Sequence, residues 1–149
     1  MQIRRKTIVY MLLLILFAES AMAQNLITNV YGRDVRSLNG KWNAIIDLYE
    51  QGRGMKVYRN QSPKGNTDFY EYSFAGGLRL NVPGDWNSQM PELKYYEGTV
   101  WYARHFDAER LVGKRQYLYF GAVSYRCRVY LNGTEIGSHE GGFTPFQIE

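Results

Sequence analysis

Residues 125–137, YRCRVYLNGTEIG, decide the fold class. Tyr125, Cys127, Val129 and Leu131 alternate with Arg126, Arg128, Tyr130 and Asn132. Successive side chains of a strand point to opposite faces, so strict alternation marks a half-buried strand. Asn132-Gly133 then separates VYL from TEIG. Asn-Gly accepts the positive φ angles of a tight hairpin turn, which predicts two antiparallel strands joined at that dipeptide.

The same period runs outward through the chain. Trp42, Ala44, Ile46 and Leu48 alternate with Asn43, Ile45 and Asp47, and Leu78, Leu80 and Val82 with Arg79 and Asn81. Segments 69–74, 99–106 and 116–123 are rich in Tyr, Phe, Trp and Val, the side chains that fit a pleated surface. Pro83-Gly84-Asp85 ends one strand, and 61–66 (QSPKGN) reads as a surface loop. Residues 86–98 form a longer connection carrying Trp86, Tyr95 and Tyr96. No run of ten or more residues has helical periodicity. Several short strands with regular turn signals predict an all-β sandwich or barrel.

The N-terminus reads as an address. Arg4, Arg5 and Lys6 precede the apolar run IVYMLLLILFA at 8–18, and Ala21-Met22-Ala23 is a small-x-small cleavage site. This order predicts a signal peptide over 1–23, an exported (periplasmic or extracellular) product, and a lead-in over 24–36. The apolar run is too short to span a bilayer, which takes about 20 residues, and no Cys follows the cleavage site to carry a lipid. Without Met1–Ala23 the 149-residue chain is 126 residues long, and its formal charge falls from +4 to +2. Its basic residues are scattered, which argues against nucleic acid as a partner.

One cysteine, Cys127, rules out an intrachain disulfide. With two histidines, His105 and His139, it gives little support to a metal site, which takes three or four protein ligands. No cofactor is implied, since Gly141-Gly142 is not a phosphate loop. Cys127 reads as a buried, inert thiol because no basic partner stands at a recognisable spacing. Asn60-Gln61-Ser62 and Asn132-Gly133-Thr134 fit the N-glycosylation pattern, but the hairpin turn already explains the second.

Aromatic residues make up 15% of the chain and include 13 Tyr. Aromatic rings stack on the apolar faces of pyranoses, yet strand faces need the same side chains for cross-strand pairs. Those outside strands, Trp86, Tyr95 and Tyr96, are therefore the better candidates for sugar contact. Of the carboxylates, Asp85, Glu92, Glu97 and Glu140 lie on expected loops or turns, and nothing in the sequence pairs two of them as retaining glycoside hydrolysis requires. Asp85 after Pro-Gly is equally a turn residue bonding its own backbone. His139 and Glu140 are adjacent on a strand and face opposite sides, so they do not form an acid–base pair. A His139 bonded to a backbone carbonyl and holding the Gly141-Gly142 turn is expected instead.

Four motifs follow in order: SLNGKW at 37–42, LNVPGDWN at 80–87, YYEGTVWYARHF at 95–106, and LYFGAVSYRCRVYLNGTEIGSHEGGFTPF at 118–146. Together they resemble the N-terminal sugar-binding domain of glycoside hydrolase family 2, the β-galactosidases, β-glucuronidases and β-mannosidases. GTVWY and HEGGFTPF look closest to the β-glucuronidase-like members. The resemblance implies a jelly-roll (galactose-binding-like) β-sandwich over 37–149. In the family an immunoglobulin-like sandwich and a TIM barrel follow, and the barrel supplies both catalytic glutamates. A barrel takes about 250 residues, so no catalytic residue is expected in this chain.

The resemblance implies a substrate-binding role for Asp85, with Trp86 beside it, toward a β-glycoside held in that barrel. It implies structural roles for His139, Gly141, Gly142 and Pro145 in the crossing to a late strand. A further strand pair follows in the family, so this chain is expected to end inside the domain with an open edge and marginal stability. Two other readings remain: a free-standing carbohydrate-binding module, and a structural or adhesion domain without a sugar role.

Overall fold

The computed structural model describes residues 26–61, 65 and 72–149. The N-terminal apolar run, residues 69–71 of the strand-like 69–74 segment, and most of the 61–66 loop lie outside the described residues. The described chain is all-β, with antiparallel strands and only short helical turns.

The central sheet has the order β2-β1-β3, made of β1 (Gly40–Asp47), β2 (Leu78–Val82) and β3 (Thr99–Ala103). Trp42 faces Leu80 across one ladder, and Ile45 faces Trp101 across the other. Between β2 and β3 lie a one-turn helix, α1 (Trp86–Gln89), and a 3₁₀ turn, Pro91–Leu93. β4 (Leu118–Phe120) pairs with β7 (Phe146–Ile148), and β5 (Arg126–Leu131) with β6 (Thr134–Glu140).

The β5–β6 hairpin forms where expected. Asn132 (φ 50°) and Gly133 (φ 80°) both take the left-handed conformation at its turn, whose twist matches that of the flanking strands. A bulge at Val129/Tyr130 shifts the register, from Val129 opposite Gly137 to Tyr130 opposite Glu135. Tyr130 stacks on Tyr58 with ring centroids 4.6 Å apart.

β1 departs from the simple alternating pattern. Ala44 and Ile45 are both buried, because the central strand is covered on both faces. Ala44 packs with Leu80 and Leu93, joined by Trp86, Met90, Tyr96 and Tyr102. Ile45 packs on the other face with Val57 and Phe74, joined by Tyr72 and Trp101. Leu48, grouped by period with the inward residues, lies past the end of β1 and is 66% exposed.

Two expected strands are shorter than read, and the described part of a third, 69–74, forms no strand. Residues 72–74 are not extended in a ladder, and Phe74 reaches the core from a loop. β3 ends at Ala103, where the Arg104 guanidinium, rather than a backbone amide, takes the Lys41 carbonyl at 2.9 Å. β4 has the three-residue length of its partner β7.

The lead-in is tied to the last strand by the Ile27 amide, which donates to Oε1 of buried Gln147 at 2.7 Å. Among the described residues no helix is long and apolar enough to cross a membrane.

Candidate functional site

β2 runs to Val82 on the edge of the central sheet, and the chain turns at Pro83-Gly84 to place Asp85 as the N-cap of α1. Asp85 is extended (φ −84°, ψ 143°), the backbone state in which a cap carboxylate reaches the free amides of the first turn. Its Oδ1 accepts from the Ser88 amide at 2.8 Å, and its Oδ2 from the Ser88 hydroxyl at 2.7 Å. The turn role weighed for Asp85 is therefore present in the structure. The carboxylate nonetheless stays on the surface. The Ser88 hydroxyl and then the Ser88 amide hold its pKa below the ordinary carboxylate value. The Tyr102 phenol is pushed up, first by burial and then by the Asp85 charge.

Trp86 is half-buried against the Ala44–Leu80–Leu93 cluster, and its indole N–H donates to the Tyr96 carbonyl at 3.2 Å. Asn87 Nδ2 donates to the same carbonyl at 3.0 Å and to that of Leu93 at 2.7 Å. Together they fold the connection back onto the sheet. Tyr96 is likewise half-buried, and its hydroxyl donates to the Thr99 carbonyl at 3.0 Å. Of the three aromatics picked out in the connection only Tyr95 stands open, 85% exposed with the Lys94 ammonium 5.2 Å from its ring centre.

The remaining candidate carboxylates are dispersed. Glu92 sits in the Pro91–Leu93 turn, and Glu140 pairs with Arg126 at 3.3 Å. Among the described residues no group of three or more His, Cys, Asp or Glu is placed to hold a metal ion.

The crossing after β6 is held by side chains. His139 Nε2 lies 3.1 Å from the Thr144 hydroxyl, and its ring stacks on Phe146, which stacks on Phe120. His139 thus bonds to a hydroxyl, where a backbone carbonyl was expected, because Thr144 comes within reach as the loop closes. Gly141 has φ +137°, and a Cβ there would fall 2.8 Å from Thr144 Oγ1. Its amide donates to the Tyr125 carbonyl at 2.8 Å. Gly142 passes close to Ser124, and half-buried Pro145 leads into β7. The loop presents Phe143 almost fully to solvent, 96% exposed.

Two features escaped the sequence reading. His139 is the cross-strand partner of Cys127, which the linear spacing hides. Burial pushes the Cys127 thiol up, more than the backbone bond at His139 lowers it, which disfavours the reactive thiolate. The second is Asp47, 2% exposed. Its carboxylate accepts from the amides of Gln51 (2.9 Å) and Gly52 (2.8 Å), the Tyr72 hydroxyl (3.1 Å) and the Trp101 indole (2.9 Å). Burial raises its pKa, and the bonds from Trp101, Gly52, Gln51 and Tyr72 outweigh that and leave it lowered. With four donors on two oxygens it is an anchor of the fold.

No family model matches the chain. Among curated proteins it is 30% identical over 120 residues to a β-glucuronidase of Paenibacillus borealis, covering 78% of this chain and 18% of that protein. It is 42% identical over 125 residues to a β-galactosidase of Thermoanaerobacter pseudethanolicus, covering 79% and 14%. Among solved structures, the β-glucuronidase of an uncultured Clostridium species superposes with a TM-score of 0.61 at 32% identity, covering 77% of this chain and 19% of that one. The chain thus spans less than a fifth of the length of these proteins. In sequence and in fold it resembles the N-terminal β-sandwich domain of glycoside hydrolase family 2.

Proposed function

We propose that residues 37–149 form the N-terminal domain of an exported, retaining β-glycosidase of the β-glucuronidase/β-galactosidase kind. In this reading the domain frames a sugar site whose catalytic glutamates belong to a barrel outside these residues. The similarity to β-glucuronidases and a β-galactosidase over more than three quarters of the chain carries the proposal. The exposed carboxylate of Asp85, on a turn braced from both sides, is the group offered to the sugar hydroxyls. A carboxylate accepts hydrogen bonds from hydroxyls, and one held on a short, bonded turn gives up little entropy on binding. Trp86 supports that turn from the core side, so its contribution to the sugar is indirect. Export rests on the N-terminal sequence pattern.

Assay of the purified chain on chromogenic β-glucuronides and β-galactosides tests the division of labour: no turnover is expected, and turnover would overturn it. Fusing residues 37–149 in place of the matching segment of a β-glucuronidase tests the framing role. Activity is expected, with a loss in kcat/KM on Asp85→Ala. An active fusion indifferent to Asp85→Ala would remove Asp85 from the site.

A further inference from the structure

We infer that Gln89 is a positioning residue for Asp85, acting by closing the Asn81–Gln89 segment into a bonded ring. This rests on the reading of Asp85 given above, but its test does not. Among the described residues β2 is an edge strand, so Asn81 presents an amide and a carbonyl that no described strand takes. The Gln89 side chain takes both. Its Oε1 accepts from the Asn81 amide at 2.6 Å, and its Nε2 donates to the Asn81 carbonyl at 3.1 Å. One side-chain amide thus replaces the pair of ladder bonds a strand would supply.

The same Nε2 also donates to the Asp85 carbonyl at 3.1 Å. The end of β2, the Pro83-Gly84 turn and the N-cap of α1 are thereby bonded at one point. A Cβ on Gly84 would lie 2.8 Å from Gln89 Nε2 and 3.0 Å from the Asn81 carbonyl, so glycine is what lets the ring close. Ser88, the residue before Gln89, supplies both donors to the Asp85 carboxylate. If Gln89 releases Asn81, α1 loses its tether to the sheet edge and the Ser88 donors lose their alignment.

The test reads the Asp85 carboxyl directly in the purified chain by following its ¹³C resonance through an acid titration, with the Ser88 amide proton as a second reporter. Wild type is expected to titrate below the ordinary Asp value. Gln89→Met, of equal length but without hydrogen bonds, should move that titration up toward the ordinary value and shift the Ser88 amide upfield. Val57→Ala is a core lesion on the other face of the sheet. It should lower the melting temperature and leave Asp85 titrating as in wild type. A Gln89→Met chain that melts earlier but keeps the wild-type Asp85 titration would overturn the inference, because Gln89 would then be only structural. If Asp85 shifts in Gln89→Met while Asp85→Ala leaves the activity of the fusion intact, the positioning stands and the sugar-contact reading of Asp85 falls.

Discussion

The Trp101 indole N–H donates to Asp47 Oδ2 at 2.9 Å and ties the middle of β3 to the end of β1, diagonally and two residue pairs off the direct register. The same oxygen accepts from the Gly52 amide, so the carboxylate pins the turn that leaves β1 to a side chain on the neighbouring strand. Loss of this anchor leaves buried donors without partners, each at a cost of about 1–3 kcal/mol. Asp47→Ala should therefore destabilise the chain by about 3–5 kcal/mol in urea titrations followed by Trp fluorescence. Asp47→Asn keeps one acceptor oxygen and should cost roughly half as much. Equal, small losses for both would remove Asp47 from the fold's supports.

The Asp47 carboxylate also sets an acid limit. Its folded pKa lies below the ordinary Asp value, so its contribution is complete above about pH 4 and declines as pH falls through the folded pKa. Melting temperature should hold steady from pH 7 to about pH 4 and then drop. In Asp47→Asn that drop should be shallower, because the residue no longer takes up a proton. A drop of the same steepness in both proteins would assign the acid sensitivity elsewhere.

Gly52 is required by closeness of approach. A Cβ there would lie 2.3 Å from Trp101 Nε1 and 2.6 Å from Asp47 Oδ2, so it would wedge the anchor apart. Gly52→Ala should cost about 1–3 kcal/mol as an overpacking lesion. In Asp47→Ala the carboxylate is absent, and the added penalty of Gly52→Ala should shrink, which a double-mutant cycle measures.

These sites mark the limit of what the sequence reveals. β2 and the start of β5 are legible because each exposes one face to water, so the period of two survives as far as Val129. Past the bulge Tyr130 turns onto Tyr58, while Leu131, read as inward with Tyr125, is exposed, as Tyr125 is. β1 is covered on both faces, and its pattern blurs at Ala44-Ile45. Val57 enters the core from a 3₁₀ turn (Val57–Arg59) and Phe74 from a loop, where no periodicity announces them. Asp47 reads as the polar member of an alternating strand, because two of its donors, Tyr72 and Trp101, lie 25 and 54 residues away. Asp85 is legible as a turn from Pro83-Gly84-Asp85 alone. Gln89 is not, because its bonds reach back eight residues to the sheet edge.

Cys127 should be a slow nucleophile. It is half-buried in the β5–β6 hairpin, and burial holds its thiol above the ordinary value. Only the thiolate reacts with alkylating agents, so a raised pKa lowers the rate at a given pH. Iodoacetamide at pH 8 should modify the folded chain several-fold more slowly than the same chain in urea. A folded chain alkylated at the unfolded rate would mean that His139, directly across the ladder, activates the thiol after all.

The crossing at 141–145 depends on His139 in two separable ways. Its ring stacks on Phe146 at 4.2 Å, and its Nε2 meets the Thr144 hydroxyl at 3.1 Å. Thr144→Val removes the hydroxyl and keeps the shape, and should cost about 1 kcal/mol, the net value of one hydrogen bond. His139→Leu loses the bond and the ring stack together and should cost more, since aromatic pairs contribute about 0.5–1.5 kcal/mol beyond their area. In His139→Leu the Thr144 partner is already gone, so adding Thr144→Val should then cost almost nothing. Full additivity would show that the 3.1 Å contact carries no coupling. The loop that presents Phe143 would then be held by Gly141 and the stack on Phe146 alone.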